Sequence, residues 1–226
     1  MPRKLLLACG ALASLLYVAT DLLAAIRYPG YHSFTSRVIS ELMARGAPTE
    51  RLVDPLFLLY GALMMAFAAG IWSSSDRQRV HVTGGLLFAY AAIGLLGPTM
   101  LEMKVRGTGE PSADIPHIAL TGALTLLIVA AVMAGAKTWG RRFRLYSLAT
   151  LLIFVVFGVL TSLASRGLAS GEPTPWLGLL ERVNIGAFLL WVAVLAVSLL
   201  RARQRPSQPS TRGSRRVTAF GGAPAR

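Results

Sequence analysis

Hydrophobic positions along the chain are gathered into six long runs, and each run is bounded by charged or turn-forming residues. A helix of about 20 predominantly apolar residues is long enough to cross the hydrocarbon core of a bilayer, which is about 30 Å thick. Each of the six runs reaches roughly that length. The pattern therefore predicts six transmembrane helices, at residues 5–26, 55–72, 80–101, 115–136, 145–164 and 177–200.

The second of these spans is the shortest, and local signals mark both of its ends. Asp54 is placed as an N-cap and Pro55 as a first-turn residue, so the sequence predicts that the helix begins there. Trp72 lies where an aromatic side chain would mark the opposite membrane interface.

The first loop is long and contains the pattern of a short amphipathic helix within residues 31–45. Apolar side chains recur at three- or four-residue spacing, at Phe34, Val38, Leu42 and Met43. Thr35 or Ser36 can cap the start, and Gly46 followed by Pro48 ends the helix. We expect this helix to lie along the outer interface. Its other side presents Arg37, Ser40, Glu41 and Arg45.

Composition leaves no room for a second folded unit. The chain has 226 residues, of which 54% are hydrophobic and 15% charged, and six spans of about 20 residues use most of the apolar positions. What remains is divided among five loops and two ends, which excludes a soluble enzyme domain. We predict an all-α integral membrane bundle over residues 1–200, followed by a basic, disordered tail over residues 201–226.

Charge predicts the orientation of the bundle. If the N-terminus is cytoplasmic, 15 of the 23 Lys and Arg residues lie on the cytoplasmic side and nine of the ten acidic residues on the other. The positive-inside rule therefore favours cytoplasmic placement of both termini. The formal net charge is +13, and the basic tail is better read as a topology signal that attracts anionic lipid than as a nucleic-acid arm.

The N-terminus and the lone cysteine add little chemistry. Only four residues separate Lys4 from Cys9, too few for the apolar region of a signal peptide, and the apolar run continues past any cleavage position. A single cysteine forms no intramolecular disulfide and no thiolate metal cluster. Cys9 is therefore read as a buried apolar residue.

Asp21 is the first candidate for chemistry, because it lies within the first span. It is about 7 to 8 Å below the outer boundary at about 1.5 Å per residue. A charged Asp costs about 2.5–3.5 kcal/mol at the centre of an inserted helix and less toward its ends, so Asp21 should be neutral, paired or facing water. We expect any charged partner to come from another helix, and Tyr17, one turn earlier, can donate a hydrogen bond.

The last span carries a second group of polar residues at the same depth. Its uninterrupted apolar run begins only at Ile185, so Glu181, Arg182 and Asn184 lie in the outer part of the membrane. Glu181 and Asn184 share a face. Arg182 points about 100° away from Glu181, and it either reaches Asp21 or extends outward into the interface.

Histidines give weak evidence for a metal site. His117 follows Asp114 at the outer start of the fourth span, His32 lies in the first loop, and His81 lies at the inner end of the third span. The spacing matches no metal-binding motif, although a site of His32, His117, Asp21 and Glu41 is geometrically possible. We predict no metal and no cofactor.

Several residues together resemble a known six-span bacterial membrane family, the one catalogued as domain of unknown function 998. They are Asp21, Pro29, Tyr31, Ser40-Glu41-Leu42, Gly46-Ala47-Pro48, His117 and Glu181-Arg182. The resemblance covers about residues 5–200 and implies the six-span fold in a bacterial plasma (inner) membrane. It implies no particular reaction. The chain departs from the pattern at residues 98–100, where it reads Pro-Thr-Met instead of Pro-x-Asp.

These observations predict an outer-facing polar pocket covered by residues 31–45. The candidate catalytic residues are Asp21, His117 and Glu181, and the candidate ligand-binding residues are Tyr31, His32, Arg37, Ser40, Glu41 and Arg182. An amphiphile such as a lipid or isoprenoid suits such a pocket, with Arg182 or Arg37 on an anionic head group. Whether the chain is an enzyme stays open.

Two other interpretations also stay open. One is a noncatalytic assembly or regulatory subunit, either a homo-oligomer or bound to a membrane partner. The other is a proton-coupled carrier of small solutes, because buried carboxylates also serve as proton relays.

Overall fold

The structure is a computed structural model, and it describes residues 2–29, 33–100, 103–105, 114–168 and 172–202. Within these residues the chain forms seven α-helices and no β-strand. It has six helical segments that are long and apolar enough to cross a membrane, one of which, Gln78–Met100, contains two of the helices. The helices are α1 (Pro2–Arg27), α2 (Glu50–Trp72), α3 (Gln78–Gly94), α4 (Gly97–Met100), α5 (Ile115–Ala136), α6 (Arg141–Ala164) and α7 (Leu177–Ala202). The predicted all-α membrane bundle is confirmed.

The long helices form a closed ring. Each packs against the next in the order α1, α2, α3, α5, α6 and α7, and α7 packs back against α1. Because six spans alternate in direction, both ends of the described chain lie at one end of the ring, here called the terminal side. The opposite end carries residues 33–49 and is called the loop side.

Large buried side chains fill the core of the ring toward the terminal side. Phe67, Phe188 and Trp191 are fully buried there, and the indole N–H of Trp191 donates a hydrogen bond of 2.9 Å to Ser147 Oγ. The Ser14 hydroxyl joins α1 to α7 through a hydrogen bond of 2.9 Å to the Leu189 carbonyl oxygen. The buried polar groups of Ser14, Ser147 and Trp191 are therefore paired, as a low-dielectric interior requires.

The start of α2 differs from the prediction. The helix begins at Glu50, so Asp54 is not its N-cap and Pro55 lies inside it. The Glu50 carboxylate accepts a hydrogen bond of 2.6 Å from the backbone N–H of Gly46, whose φ of 86° suits glycine. The capping signals at Asp54 and Pro55 placed the start too late, because the helix begins one turn earlier with the charged residues Glu50 and Arg51.

The amphipathic helix expected within residues 31–45 is not found among the described residues 33–45. The chain forms only a short 3₁₀ helix, Ile39–Met43, in which Ile39, Glu41 and Leu42 are buried. Backbone groups before it bond to distant parts of the chain: the Leu179 N–H donates to the Thr35 carbonyl oxygen at 3.1 Å, and the Thr174 hydroxyl donates to that of Ser36 at 3.2 Å.

At the carbonyl oxygens of Thr35 and Ser36 these tertiary hydrogen bonds take the place of the i to i+4 bonds of a helix and override its local propensity. Residues 33–49, here called the covering segment, contact α1, α2 and α7. The segment lies across the loop side of the ring.

Candidate ligand-binding site

Asp21 of α1 and Arg182 of α7 form a bidentate ion pair. Arg182 donates from Nε to Asp21 Oδ2 at 2.9 Å and from Nη2 to Asp21 Oδ1 at 2.8 Å. The Asp21 side chain is 9% exposed and that of Arg182 15%. The planar guanidinium matches the carboxylate with two parallel hydrogen bonds, which is the strongest geometry for such a pair.

The remaining donor of Arg182 holds the covering segment. Its Nη1 donates to the carbonyl oxygens of Phe34 and Arg37, both at 2.8 Å, and to that of Gly178 at 3.1 Å. The guanidinium also lies over the Phe34 ring, 4.8 Å from its centroid. Arg182 therefore joins α1, α7 and the covering segment.

Gly178 makes this close approach possible. A Cβ at residue 178 would overlap the carbonyl oxygens of Phe34 and Arg37. Only glycine lets the backbone of the covering segment approach the first turn of α7 so closely.

Glu41 organises the covering segment from within. Its side chain is buried, and Oε2 accepts a hydrogen bond of 2.9 Å from the backbone N–H of Val38. Oε1 accepts one of 3.3 Å from Arg37 Nη1. Glu41, which the sequence placed on the polar side of an interfacial helix, is thus turned inward, and its negative charge is paired with Arg37.

Glu181 points away from its neighbour Arg182, because consecutive helical residues are about 100° apart. Its Oε2 accepts a hydrogen bond of 2.5 Å from the backbone N–H of Ile39. The side chain also lines a cavity inside the ring. Glu181 therefore contacts both the covering segment and the interior space.

The cavity has a volume of about 200 Å³ and lies at the centre of the ring. A single water needs only about 10–15 Å³ of such space, so the cavity is large enough for part of an organic molecule. At the loop side its walls include Ile39, Ser40, Met43, His117, Glu181 and Asn184, and further in they include Tyr17, Phe57, Tyr60, Tyr90, Ile128 and Phe154.

Tyrosines form the inner part of the wall. The hydroxyl oxygens of Tyr60 and Tyr90 are 3.0 Å apart and share a hydrogen bond between α2 and α3. Tyr17 packs edge-on against Phe57 and Tyr60, with ring centroids 4.9 and 5.1 Å away. One hydroxyl of the pair donates to the other, and the aromatic rings present an apolar surface to the cavity.

The side chain of Asn184 has a buried hydrogen-bond acceptor, Oδ1. Its Oδ1 is buried and has no hydrogen-bond partner among the residues that the structure describes. Asn184 lines the cavity together with Glu181 and Ile185 on the same helix. A buried acceptor without a partner costs about 1–3 kcal/mol unless a ligand or water supplies the donor.

The structure separates the predicted pocket into two adjacent parts. His117, Glu181 and Ser40 line the cavity, whereas neither Asp21 nor Arg182 does, although both are described. The hydrogen bond suggested between Tyr17 and Asp21 is replaced by the bonds from Arg182.

Two of the predicted ligand-binding residues, Tyr31 and His32, lie outside the described residues, and so does the tail beyond residue 202. The four-residue metal arrangement that includes His32 is therefore not described as a whole.

Sequence reasoning missed Tyr60, Tyr90, Thr121 and Gly178. Aromatic and threonine residues in an apolar run give no sign of which side of the helix faces a cavity. Gly178 carried a signal, since a glycine in the first turn of a long helix is costly without a packing reason.

Comparison with known proteins identifies the family to which the chain belongs. No curated protein and no solved structure matches the chain. The family model described as "Protein of unknown function (DUF998)" matches residues 11–198, which is most of the sequence and includes all or most of each of the six long helices. The chain is therefore a multi-pass membrane protein that belongs to the DUF998 family.

Proposed function

We propose that the protein binds a membrane amphiphile, a lipid or isoprenoid, in the cavity of its helix ring. The observation that carries the proposal is the distribution of lining residues. Ser40, His117, Glu181 and Asn184 lie toward the loop side, and the rest of the lining is mainly aromatic and aliphatic, with the hydroxyl groups of Thr121 and Thr125 on α5. An amphiphile has the same division into a polar head and an apolar tail.

The depth of the cavity suits a hydrocarbon tail. His117 and Ile128 both line it, and they are separated by about 16 Å along α5 at about 1.5 Å per residue. This distance is about half of the 30 Å hydrocarbon core. A tail that enters at the loop side reaches the middle of the bilayer within the ring.

The contacts of Arg182 favour a different head group from the anionic one expected from the sequence. The donors of Arg182 bind Asp21 and three carbonyl oxygens, so Arg182 is better suited to holding the covering segment than an anionic ligand. The cavity instead offers the Glu181 carboxylate and Asn184 Oδ1, both acceptors. A head group that donates hydrogen bonds, such as a hydroxyl or ammonium group, fits these acceptors.

We assign different roles to the candidate residues on the same grounds. Glu181, His117 and Ser40 contact the ligand, whereas Asp21, Arg182, Glu41 and Arg37 position the covering segment. His117 and Glu181 line one cavity, which is the arrangement that a general acid and base acting on a bound head group require. Binding is the proposal, and turnover would appear as a second, modified lipid in the experiment below.

The distribution of charge supports a location of the polar end of the cavity in the outer leaflet. The predicted orientation, with both termini in the cytoplasm of a bacterial cell, puts the loop side at the outer face of the plasma (inner) membrane.

Lipid analysis of the purified protein tests the proposal. The protein is extracted in a mild detergent, and the lipids that it retains are identified by mass spectrometry and compared with those of the host membrane. We expect strong enrichment of one amphiphile whose head group donates hydrogen bonds. A lipid profile equal to that of the membrane would contradict the proposal, and a stoichiometric protein partner in its place would favour an assembly subunit.

A further inference from the structure

The described residues that line the cavity are buried or half-buried, with one exception. Of the described residues that line it, Thr121 of α5 is the one that is also exposed at the protein surface. An exposed residue in the wall of an interior cavity marks the place where the wall is thin or absent. The cavity therefore meets the surface beside Thr121, in the loop-side half of α5.

Burial along α5 shows that its neighbour α6 is close at one end only. Positions 118 and 136 are about five turns apart and share a side of the helix at about 3.6 residues per turn. On the terminal side Ala136 is 5% exposed, and Val132 close to the same line is 1% exposed. On the loop side Ile118 is 63% exposed.

The inward side of α6, which contacts α7 through Ser147 and Gly158, shows the same change in burial. Ser147, Thr150 and Phe154 are buried on its terminal-side half. One and two turns further on, Gly158 and Thr161 are only half-buried, and none of residues 155–164 is buried. The two helices thus pack together on the terminal side and leave a gap on the loop side.

The route from water is covered. Ile39 and Leu42 of the covering segment are 3% and 0% exposed, and the segment is bound to α7 through Arg182, Leu179 and Glu181. A ligand that came from the aqueous phase would have to break these hydrogen bonds. A ligand that came from the bilayer would not.

We infer that the cavity opens sideways into the membrane between the loop-side halves of α5 and α6, beside Thr121 and Gly158, and takes its ligand directly from that leaflet. This inference rests on the proposed function and narrows it: the ligand is a membrane-resident lipid, and a water-soluble solute is excluded. The hydrocarbon tail passes between the helices while the polar head stays near the interface, so no head group crosses the apolar core.

Photo-labelling from the bilayer tests the opening. The protein is reconstituted into vesicles of phosphatidylcholine and phosphatidylglycerol that contain a phosphatidylethanolamine with a diazirine in its acyl chain, because the ammonium of this head group can donate hydrogen bonds. After irradiation, labelled peptides are measured by mass spectrometry. We expect labelling of the buried residues Tyr60 and Tyr90 in the wild type.

Two neighbouring substitutions give a matched comparison. In Thr121→Trp the indole fills the opening, and labelling of Tyr60 and Tyr90 falls by about fivefold or more because an aromatic ring of this size leaves little room for a chain. Gly122→Trp places the same ring one residue later, where a Cβ has nothing within 4 Å and the residue does not line the cavity. Labelling should then stay at the wild-type level, as should labelling of the exposed Leu15 in both variants.

Gly158→Phe approaches the same opening from α6, where a Cβ makes ordinary contact with Asn184 at 3.6 Å. It should also lower the labelling, and it keeps the test valid if Thr121→Trp does not fold. Unchanged labelling of Tyr60 and Tyr90 in a folded Thr121→Trp or Gly158→Phe variant would overturn the lateral opening.

A second arm separates this failure from failure of the proposed function. A short-chain phosphatidylethanolamine with a diazirine in its acyl chain is added to the wild-type protein in detergent micelles. Labelling of Tyr60 and Tyr90 in micelles but not in vesicles would overturn the lateral route and leave amphiphile binding in place. Absence of labelling under both conditions would overturn the proposed function and with it the opening.

Discussion

Asp21 and Arg182 are 161 positions apart in the sequence and are joined by two charge-assisted hydrogen bonds of 2.9 and 2.8 Å between α1 and α7. Either charge alone would be energetically unfavourable at this depth in a membrane. The pair closes the ring where its last helix meets its first, and the same guanidinium holds the covering segment. The pair therefore links α1 and α7 to the segment that covers the cavity.

Removing Arg182 should destabilise the protein strongly. In Arg182→Ala the Asp21 carboxylate stays buried without its partner, and we expect a loss of about 3–5 kcal/mol in the free energy of unfolding. Thermal unfolding in detergent measures this loss. Arg51→Ala removes an exposed arginine of α2 and should change stability by less than about 0.5 kcal/mol.

The double variant Asp21→Ala/Arg182→Ala should lose less stability than the sum of its two single variants, with a coupling of about 0.5–3 kcal/mol. Additive losses would mean that the ion pair itself contributes nothing.

Gly178 should tolerate no side chain. Gly178→Ala drives a methyl group into the carbonyl oxygens of Phe34 and Arg37, and we expect a destabilisation of about 1–3 kcal/mol with faster proteolysis of the covering segment. Gly186 in the same helix has open space at its Cβ position. Gly186→Ala should therefore raise stability by about 0.5–1 kcal/mol, the usual helical gain. Equal effects at the two positions would contradict the close approach.

The number of spans could be predicted from the sequence. It could also be predicted that Asp21 needs a charged partner from another helix. Apolar runs of bilayer length define the helices, and an intramembrane carboxylate demands compensation wherever it lies. The angle of about 100° between consecutive helical residues also indicated that Glu181 and Arg182 face different surroundings.

The covering segment could not be predicted in the same way. Its apolar spacing favours a helix, but the hydrogen bonds that fix it come from residues about 140 positions later, such as Leu179 and Arg182. Such partners leave no mark in the local pattern. The cavity was also invisible, since Tyr60 and Tyr90 look like ordinary members of apolar spans until their helices are placed side by side.

The hydrogen bond between Tyr60 and Tyr90 should contribute to holding α2 and α3 together. Both side chains are 6% exposed, so Tyr60→Phe leaves the Tyr90 hydroxyl without its partner and should cost about 1–3 kcal/mol. The double variant Tyr60→Phe/Tyr90→Phe should lose less than twice that amount, because no unpaired hydroxyl remains. Denaturation of the four proteins in detergent measures the coupling, and zero coupling would show that the hydroxyl groups do not depend on each other.

Glu181 should matter for the ligand more than for the fold. Glu181→Gln keeps a carbonyl oxygen that can accept from the Ile39 N–H, so its unfolding temperature should stay near that of the wild type. Loss of the carboxylate removes a charge-assisted hydrogen bond to the head group worth about 1.5–3 kcal/mol, which corresponds to a roughly tenfold to hundredfold weaker affinity.

Glu181→Ala should lower both stability and ligand retention, because the Ile39 N–H then also loses its acceptor. If Glu181→Gln retains as much lipid as the wild type, Glu181 serves only as an anchor for the covering segment.

The most direct test of the account fills the cavity. Thr125 lines it, and the next residue, Leu126, is 71% exposed and does not. The lipid retained per protein molecule after purification in a mild detergent is measured by mass spectrometry for Thr125→Phe and Leu126→Phe. We predict that Thr125→Phe folds and loses the enriched amphiphile, whereas Leu126→Phe retains it at the wild-type level. Equal retention of the same lipid by both folded variants would contradict the claim that the ring cavity is its binding site.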